Sequence, residues 1–415
     1  MYRMIKKITE RCSSILKFQW KLFAGLYLLI WREKRPLARK NNLRGVYQAV
    51  RSTLRRAVKN RSMAPPHPYL MIELCQKCNV NCIFCLTHSN LIKNTHTNLP
   101  IKTQQQKDGK IDPFLDFDKF KAVVEELGRL KPKSISLSGN GETLLYPKLL
   151  DAITHIKTQQ KLKTAKISFS TNGLLLNNSL SKELITAGIN GINFSINAST
   201  PETYMTMHSI NGNEFYKLKN NIRFFVDAVD SSNRKKPHIT ATFALCTKNY
   251  REMPKMIDLC HNLGIRRAGF RLIYFCKGKR ECLKEFILEA KQKEELKCLA
   301  FEALLHAENK KIFTNLNSFI NILKKDNNNY FLPKISDAYT CQIHANGLVS
   351  PYDFPYVMGD IYKDSLVDIW RSRQYVEFRN TIKEKTLNKE LLPTRPFCFN
   401  CDLNGAALDS CNIIS

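Results

Sequence analysis

Three cysteines, Cys78, Cys82 and Cys85, stand at x3 and x2 spacings in the segment Cys78-Asn-Val-Asn-Cys82-Ile-Phe-Cys85. Thiolates are the usual ligands of iron-sulfur clusters, and a cubane has four irons to satisfy. Three ligands leave one iron open to a small chelating molecule, and an electron passed from there to a bound sulfonium would break a carbon-sulfur bond. Two other readings use the same residues. A four-cysteine zinc site or a closed ferredoxin-type cluster would take Cys75 as fourth ligand, because Cys75 and Cys78 are also spaced x2.

Further polar groups follow in chain order. Ser138-Gly-Asn-Gly141-Glu142-Thr143 joins glycines, which let the backbone approach a ligand closely, to a glutamate able to receive an ammonium. Ser170-Thr171-Asn172-Gly173 and Ser195-Ile-Asn197 offer hydroxyl and amide groups that bond a ribose or a carboxylate, or else cap the helices that follow. Taken together, these motifs resemble those of the radical S-adenosylmethionine (SAM) superfamily: C-x3-C-x2-C with the aromatic Phe84 before its last cysteine, then a glycine-glycine-glutamate motif, then polar strand ends. The resemblance implies a [4Fe-4S] cluster on Cys78, Cys82 and Cys85, with SAM held by Phe84, Gly141, Glu142, Thr171, Asn172, Ser195 and Asn197. The chain departs from the family pattern at Thr143, where proline is often found, at Asn140, which interrupts the glycines, and at Asn197, where aspartate is common.

A different clue lies near the C-terminus: Cys341, Asn346-Gly347-Leu-Val-Ser-Pro351, Gly359-Asp-Ile361, Ile369-Trp370, Cys398-x2-Cys401 and Cys411. This order resembles the SPASM module, or its shortened twitch form, which follows many radical SAM cores; Tyr352 stands where a cysteine is common. The resemblance implies one auxiliary [4Fe-4S] cluster on the four remaining thiolates, Cys341, Cys398, Cys401 and Cys411, with structural zinc or no metal as alternatives. Cys246 and Cys276 follow two strand candidates and either reach the pocket or lie buried and inert. The nine histidines show no paired metal spacing.

These motifs need strands to carry them. Candidates are Tyr69 to Leu74, Ser134 to Ser138, Lys166 to Thr171, Ile192 to Ile196, Ile239 to Leu245 and Phe270 to Tyr274, with helical patterns near 116–130, 147–160, 180–188, 214–229 and 250–263 between them. That alternation predicts an α/β fold, a partial, open TIM-like (β/α)6 barrel over 68–281 with its chemistry at the C-terminal ends of the strands. Residues 282–335 read as a helical bridge and 336–415 as the small iron-sulfur module. The polar stretch 88–114, with its TQQQKDGK run, reads as a lid or a disordered insertion.

The formal charge of +29 is unevenly spread. Residues 1–62 hold 17 Lys and Arg against Glu10 and Glu33, a net +15, and Pro65-Pro66-His67-Pro68 closes this basic, helical extension. Its apolar segment from Phe18 to Trp31 is shorter than the roughly 20 residues of a spanning helix, and no cleavage site follows it. It reads as an interfacial helix on anionic lipid or as a helix packed on the protein's own core. The fourteen cysteines fall at metal-ligand spacings or singly in apolar stretches, which points to a reducing, cytoplasmic setting, on the inner face of the membrane if the extension binds lipid. The expected function is reductive cleavage of SAM to a 5′-deoxyadenosyl radical that abstracts hydrogen from a substrate the sequence does not name, with electrons from a flavodoxin or ferredoxin. RNA modification is a second reading, disfavoured because the excess charge precedes the core. A non-catalytic iron-sulfur or zinc-binding protein is a third.

Overall fold

Alternation along the strands decides which face of the sheet each residue meets. In the computed structural model, which describes residues 68–85, 87–93, 112–232, 237–273, 284–323, 330–331, 338–351, 356–388 and 392–393, the strands β1 (Tyr69–Ile72), β2 (Ser134–Ser136), β3 (Lys166–Thr171), β4 (Gly191–Ser195), β5 (His238–Leu245) and β6 (Arg267–Leu272) form successive parallel pairs. Leu70, Ile72, Ile135, Ile167, Phe169, Ile192, Phe194, Phe243 and Phe270 point to the buried face. The opposite face carries Ser134, Ser136, Ser168, Ser170, Asn193, Ser195, Thr240 and Thr242, all partly or fully exposed.

Helices cover the apolar face: α1 (Phe117–Leu130), α2 (Leu149–Thr158), α3 (Asn178–Ala187), α4 (Pro201–His208), α5 (Asn213–Asp230) and α6 (Met253–Asn262). In α1 the buried set Phe120, Val123, Val124 and Leu127 repeats at helical spacing, and Asp116 caps its start by accepting from Lys119 N at 2.7 Å. The short α4, which the sequence reading passed over, starts at Thr200 and Pro201, a cap followed by a residue with helical φ already set.

Residues beyond the sixth strand do more than bridge. After α7 (Ala290–Asn309) comes β7 (Phe313–Thr314), which adds a parallel strand at the β6 edge, then α8 (Leu316–Leu323). On the other edge β8 (Thr340–Ile343) pairs in parallel with β1, Leu70 opposite Cys341, and β9 (Leu348–Ser350) and β10 (Gly359–Asp360) continue antiparallel. One open ten-stranded sheet results, in the order β10-β9-β8-β1-β2-β3-β4-β5-β6-β7. Helices α9 (Leu366–Arg371) and α10 (Arg373–Leu387) pack behind its C-terminal part, tied by Val367 N to Glu126 Oε2 (3.1 Å) and by Tyr375 OH to Thr340 O (2.8 Å). The C-terminal residues therefore protect the β1 edge and share its core.

The basic extension 1–62, most of the polar stretch 88–114, and Tyr274, Cys276, Tyr352, Cys398, Cys401 and Cys411 lie outside the described residues. Among the described residues no helix is long and apolar enough to cross a membrane.

Candidate active site

Because β1 to β6 run parallel, the loops after their C-terminal ends gather on one rim. The first carries Cys78, Cys82 and Cys85, all partly exposed and free of disulfides. Burial pushes the Cys78 thiol up to about 11. Cys82 is held well above the ordinary thiol value, by burial first and then by the neighbouring Cys85 and Cys78. Ligation requires thiolates, so metal binding at this loop releases protons. Cys75 is different. Its buried sulfur folds back onto its own loop, accepting from Lys77 N at 3.2 Å and donating to Lys77 O at 3.4 Å, and its thiol is pushed up to about 12 by burial. That arrangement argues against Cys75 as a fourth ligand.

The second loop locks onto the first through its backbone. Glu142 N donates to Lys77 O at 2.7 Å, and a Cβ on Gly141 would lie 2.4 Å from the carbonyl oxygens of both Cys75 and Lys77. Only glycine permits that approach. Thr143, standing in place of proline, donates its hydroxyl to the buried Leu137 carbonyl at 2.8 Å, a bond proline cannot make.

Glu142 joins the third loop to the second. Thr171 Oγ1 donates to Glu142 Oε1 at 2.6 Å, Asn172 N to Oε2 at 2.8 Å and Leu144 N to Oε1 at 3.0 Å. Burial raises the Glu142 pKa above that of an ordinary glutamate, with those three bonds opposing the shift. Asn172 Nδ2 donates to Asn79 Oδ1 at 2.7 Å, which reaches back into the cysteine loop. Neither Thr171 nor Asn172 caps the next helix; Asn177 does, accepting from Leu180 N at 2.9 Å. Gly141, Glu142, Thr171 and Asn172 are thus one connected unit with the cysteine loop.

The fourth loop is built otherwise. Asn197, at φ 59°, accepts from Ala244 N at 2.8 Å and donates to Ser195 Oγ at 3.0 Å. Both ends of its buried amide are committed to joining β4 and β5, so Ser195 is the group that stays partly exposed. Phe84 packs with Ile83, Met207, Cys246 and Phe286 in a small apolar cluster beside the cysteines.

Three residues at the rim escaped the sequence reading. Asn79 is one. His208, near the end of α4, sets Nδ1 3.2 Å from Cys82 Sγ. Glu73, fully buried at the end of β1, accepts from both Asn140 N and Asn140 Nδ2 at 2.8 Å, with His344 Nδ1 3.8 Å away. Burial acts to raise the Glu73 pKa, but His344, Asn140 and Gln76 outweigh it and hold the carboxyl below the ordinary value. The available signal was an acidic residue in the apolar run Tyr69-Leu-Met-Ile-Glu73-Leu.

Residues 72–260 match the model of the Radical SAM superfamily, and residues 336–402 match that of SPASM, an iron-sulfur cluster-binding domain. The chain thus carries a radical SAM domain followed by a SPASM domain. It is 24% identical over 200 residues to the tungsten-containing aldehyde ferredoxin oxidoreductase cofactor-modifying protein of Pyrococcus furiosus, covering 48% of this chain and 49% of that protein. It is 25% identical over 212 residues to the probable GTP 3′,8-cyclase of Methanocaldococcus jannaschii, covering 51% of this chain and 60% of that protein. The chain spans about half the length of the curated relatives it matches. Native anSMEcpe with bound AdoMet has the same fold, with TM-score 0.54 and 16% identity over 75% of this chain and 83% of that one. So does SuiB of Streptococcus suis bound to S-adenosylmethionine, with TM-score 0.55 and 15% identity over 87% and 79%.

A radical SAM domain implies a [4Fe-4S] cluster with SAM, and a SPASM domain implies auxiliary iron-sulfur clusters. The donor set fits the first: three free thiols on one loop, next to a turn whose glycine admits close backbone approach. Among the described residues no group of three His, Cys, Asp or Glu side chains converges in metal-holding geometry, so the fit rests on donor chemistry and loop placement. For the auxiliary site the described residues supply Cys341. It is buried on β8, its thiol pushed up to about 12 by burial, while Tyr375 and Arg379 act in the opposite direction. Arg379 is itself buried, and among the described residues its Nη1 has no hydrogen-bond partner. A thiolate at Cys341 would complement that charge.

Proposed function

We propose that this radical SAM protein is an enzyme whose chemistry sits at the rim formed by the loops after β1 to β4. Cys78, Cys82 and Cys85 hold the cluster, Gly141 and Glu142 receive the amino end of SAM, and Thr171, Asn172 and Ser195 line the site with Phe84 and Asn197 behind them. A bound cluster would supply one electron to the sulfonium of SAM, breaking its bond to C5′ so that methionine leaves and a 5′-deoxyadenosyl radical would be available to take a hydrogen atom from the substrate. The chain's own contribution is placement: Glu142 offers a carboxylate for an ammonium, and Thr171 and Asn172 hold that carboxylate against the cysteine loop. The observation that carries this reading is the continuous bonding from Asn79 through Asn172 and Glu142 to Lys77.

The division into a core at 68–281, a connecting region at 282–335 and a cluster-binding region at 336–415 belongs to the same proposal. So does one auxiliary [4Fe-4S] cluster on Cys341, Cys398, Cys401 and Cys411. A low-potential flavodoxin or ferredoxin supplies the electron, and the basic segment 1–62 holds the enzyme to the cytoplasmic membrane face.

Purified without oxygen and reconstituted with iron and sulfide, wild type is expected to carry about eight irons per chain and to form 5′-deoxyadenosine. Cys78/Cys82/Cys85→Ala should retain about four irons and form none. No 5′-deoxyadenosine from wild type under strong reductant would remove the enzyme reading.

A further inference from the structure

The glycine turn after β2 rests on a buried carboxylate that belongs to neither loop facing it. Glu73 Oε2 takes both the backbone and the side-chain N–H of Asn140, each at 2.8 Å. The turn sits so close that a Cβ on Gly139 would fall 2.3 Å from Glu73 Cγ. On its far side the same carboxylate meets the SPASM strands. His344 Nδ1 lies 3.8 Å from Oε2, Ala345 N donates to Oε1 at 3.4 Å, and Glu73 N donates to Ile343 O at 2.8 Å. His344 is anchored in turn, its Nε2 3.0 Å from Ser350 Oγ on β9. The other end of Asn140 is held as well, with its carbonyl 3.0 Å from His88 Nε2, while His88 N donates to Cys85 Sγ at 3.3 Å.

Burying a carboxylate is costly unless donors and a cation compensate it. Among the described residues His344 sets a ring nitrogen 3.8 Å from Glu73 Oε2, and it comes from the C-terminal part of the sheet. The position of Asn140 therefore depends on a residue some 200 positions later in the chain, and Asn140 lies between Gly139 and Gly141. This accounts for the asparagine that interrupts the glycines: its side chain supplies the second bond to Glu73.

We propose that Glu73 and His344 are positioning residues through which the SPASM strands set the glycine turn that receives SAM. The proposal rests on the reading of that turn as the SAM site, and it adds a dependence of SAM binding on the C-terminal part of the sheet that runs through the Glu73–His344 contact.

The test uses the full-length protein with reconstituted iron. SAM affinity is measured by equilibrium dialysis, and the change SAM induces in the electron paramagnetic resonance signal of the reduced cluster is recorded alongside. Wild type must bind SAM; if it does not, the functional reading fails before this one is reached. Glu73→Gln and His344→Ala are each expected to weaken SAM about tenfold with iron content unchanged, the order of effect for a bond to a charged group. The double variant should be no weaker than Glu73→Gln alone, because both act through one path. His344→Gln, which keeps a polar group at that position, should restore part of the affinity and of the spectral change. A merely structural role would lower thermal stability and leave SAM affinity of the folded, iron-loaded fraction unchanged. Asn140→Ala, at a half-exposed position, leaves both buried residues in place and removes one bond; about threefold weaker SAM is expected. Wild-type affinity in His344→Ala or in Asn140→Ala, or multiplying effects in the double variant, would overturn the proposal.

Discussion

His208 Nδ1 lies 3.2 Å from Cys82 Sγ, while Nε2 of the same ring lies 2.9 Å from the carbonyl oxygen of Ile196. A carbonyl only accepts, so Nε2 carries the hydrogen and Nδ1 presents a lone pair to the thiol. Burial drives the His208 pKa down to about 4, which keeps the ring neutral near pH 7. Tyr204 packs against it in a tilted arrangement, 4.3 Å between ring centroids. The helix that supplies both residues, α4, therefore fixes the direction of the Cys82 side chain from behind.

Replacing His208 with leucine removes both bonds and leaves the Ile196 carbonyl without this donor. The cost expected is about 1–3 kcal/mol in the stability of the iron-free protein. Urea unfolding of wild type and His208→Leu measures it directly. An unchanged midpoint at equal slope would mean that the ring merely fills space.

Glu142 gives a pH dependence with a definite sign. Its folded-state pKa is raised by burial, and SAM offers an ammonium that needs the carboxylate form. SAM affinity should therefore fall as pH drops through that raised value, beginning at a higher pH than an ordinary glutamate would give. For the SAM-free protein the linkage runs the other way. A carboxyl with a raised folded pKa contributes stability that is full below its unfolded value and is lost as pH rises through the folded one. Glu142→Gln should flatten both profiles and weaken SAM at neutral pH. If its SAM affinity falls with acid as steeply as wild type, another group governs the titration.

Strand and helix positions were legible because period 2 and period 3.6 are written locally. Lys166–Thr171 is predicted and found with the same bounds, and the helical pattern at 214–229 appears as Asn213–Asp230. What escaped depends on distant pairing. Phe313–Thr314 is a strand only because Arg267 and Ala268 offer an edge, and two residues carry no period. Cys341 reads as the start of a separate module, yet it pairs opposite Leu70 in the same sheet. At the site, residue types and order pointed to Cys78, Glu142 and Thr171. They gave no means of seeing that Asn197 spends its amide on Ala244 and Ser195, or that Glu73 meets His344 across more than 250 positions of sequence.

Thr143 tests how the chain compensates for a missing proline. Its hydroxyl serves the buried Leu137 carbonyl at 2.8 Å, so Thr143→Val, nearly equal in volume, removes that donor alone. About 1–3 kcal/mol should be lost, with a lower thermal midpoint and weaker SAM binding, since Glu142 is the adjacent residue. Equal stability in the valine variant would show that the carbonyl finds another donor there.

Cys246 is placed at the end of β5, where a thiol open to the pocket would serve as a hydrogen-atom donor. The side chain turns inward instead. It is fully buried, its sulfur lies 3.6 Å from Met207 Sδ, and burial pushes the thiol up to about 11. Its neighbours Ile83, Phe84 and Phe286 are apolar, and burial outweighs the backbone groups of Lys248 and Asn249 and the Lys248 charge, which act to lower the thiol. Cys246→Ala should therefore keep 5′-deoxyadenosine formation within about twofold of wild type while costing about 1 kcal/mol of stability for the small void. Loss of deoxyadenosine formation at unchanged iron content and SAM affinity would instead return this sulfur to the chemistry, and would require Met207 and Phe286 to move aside during turnover.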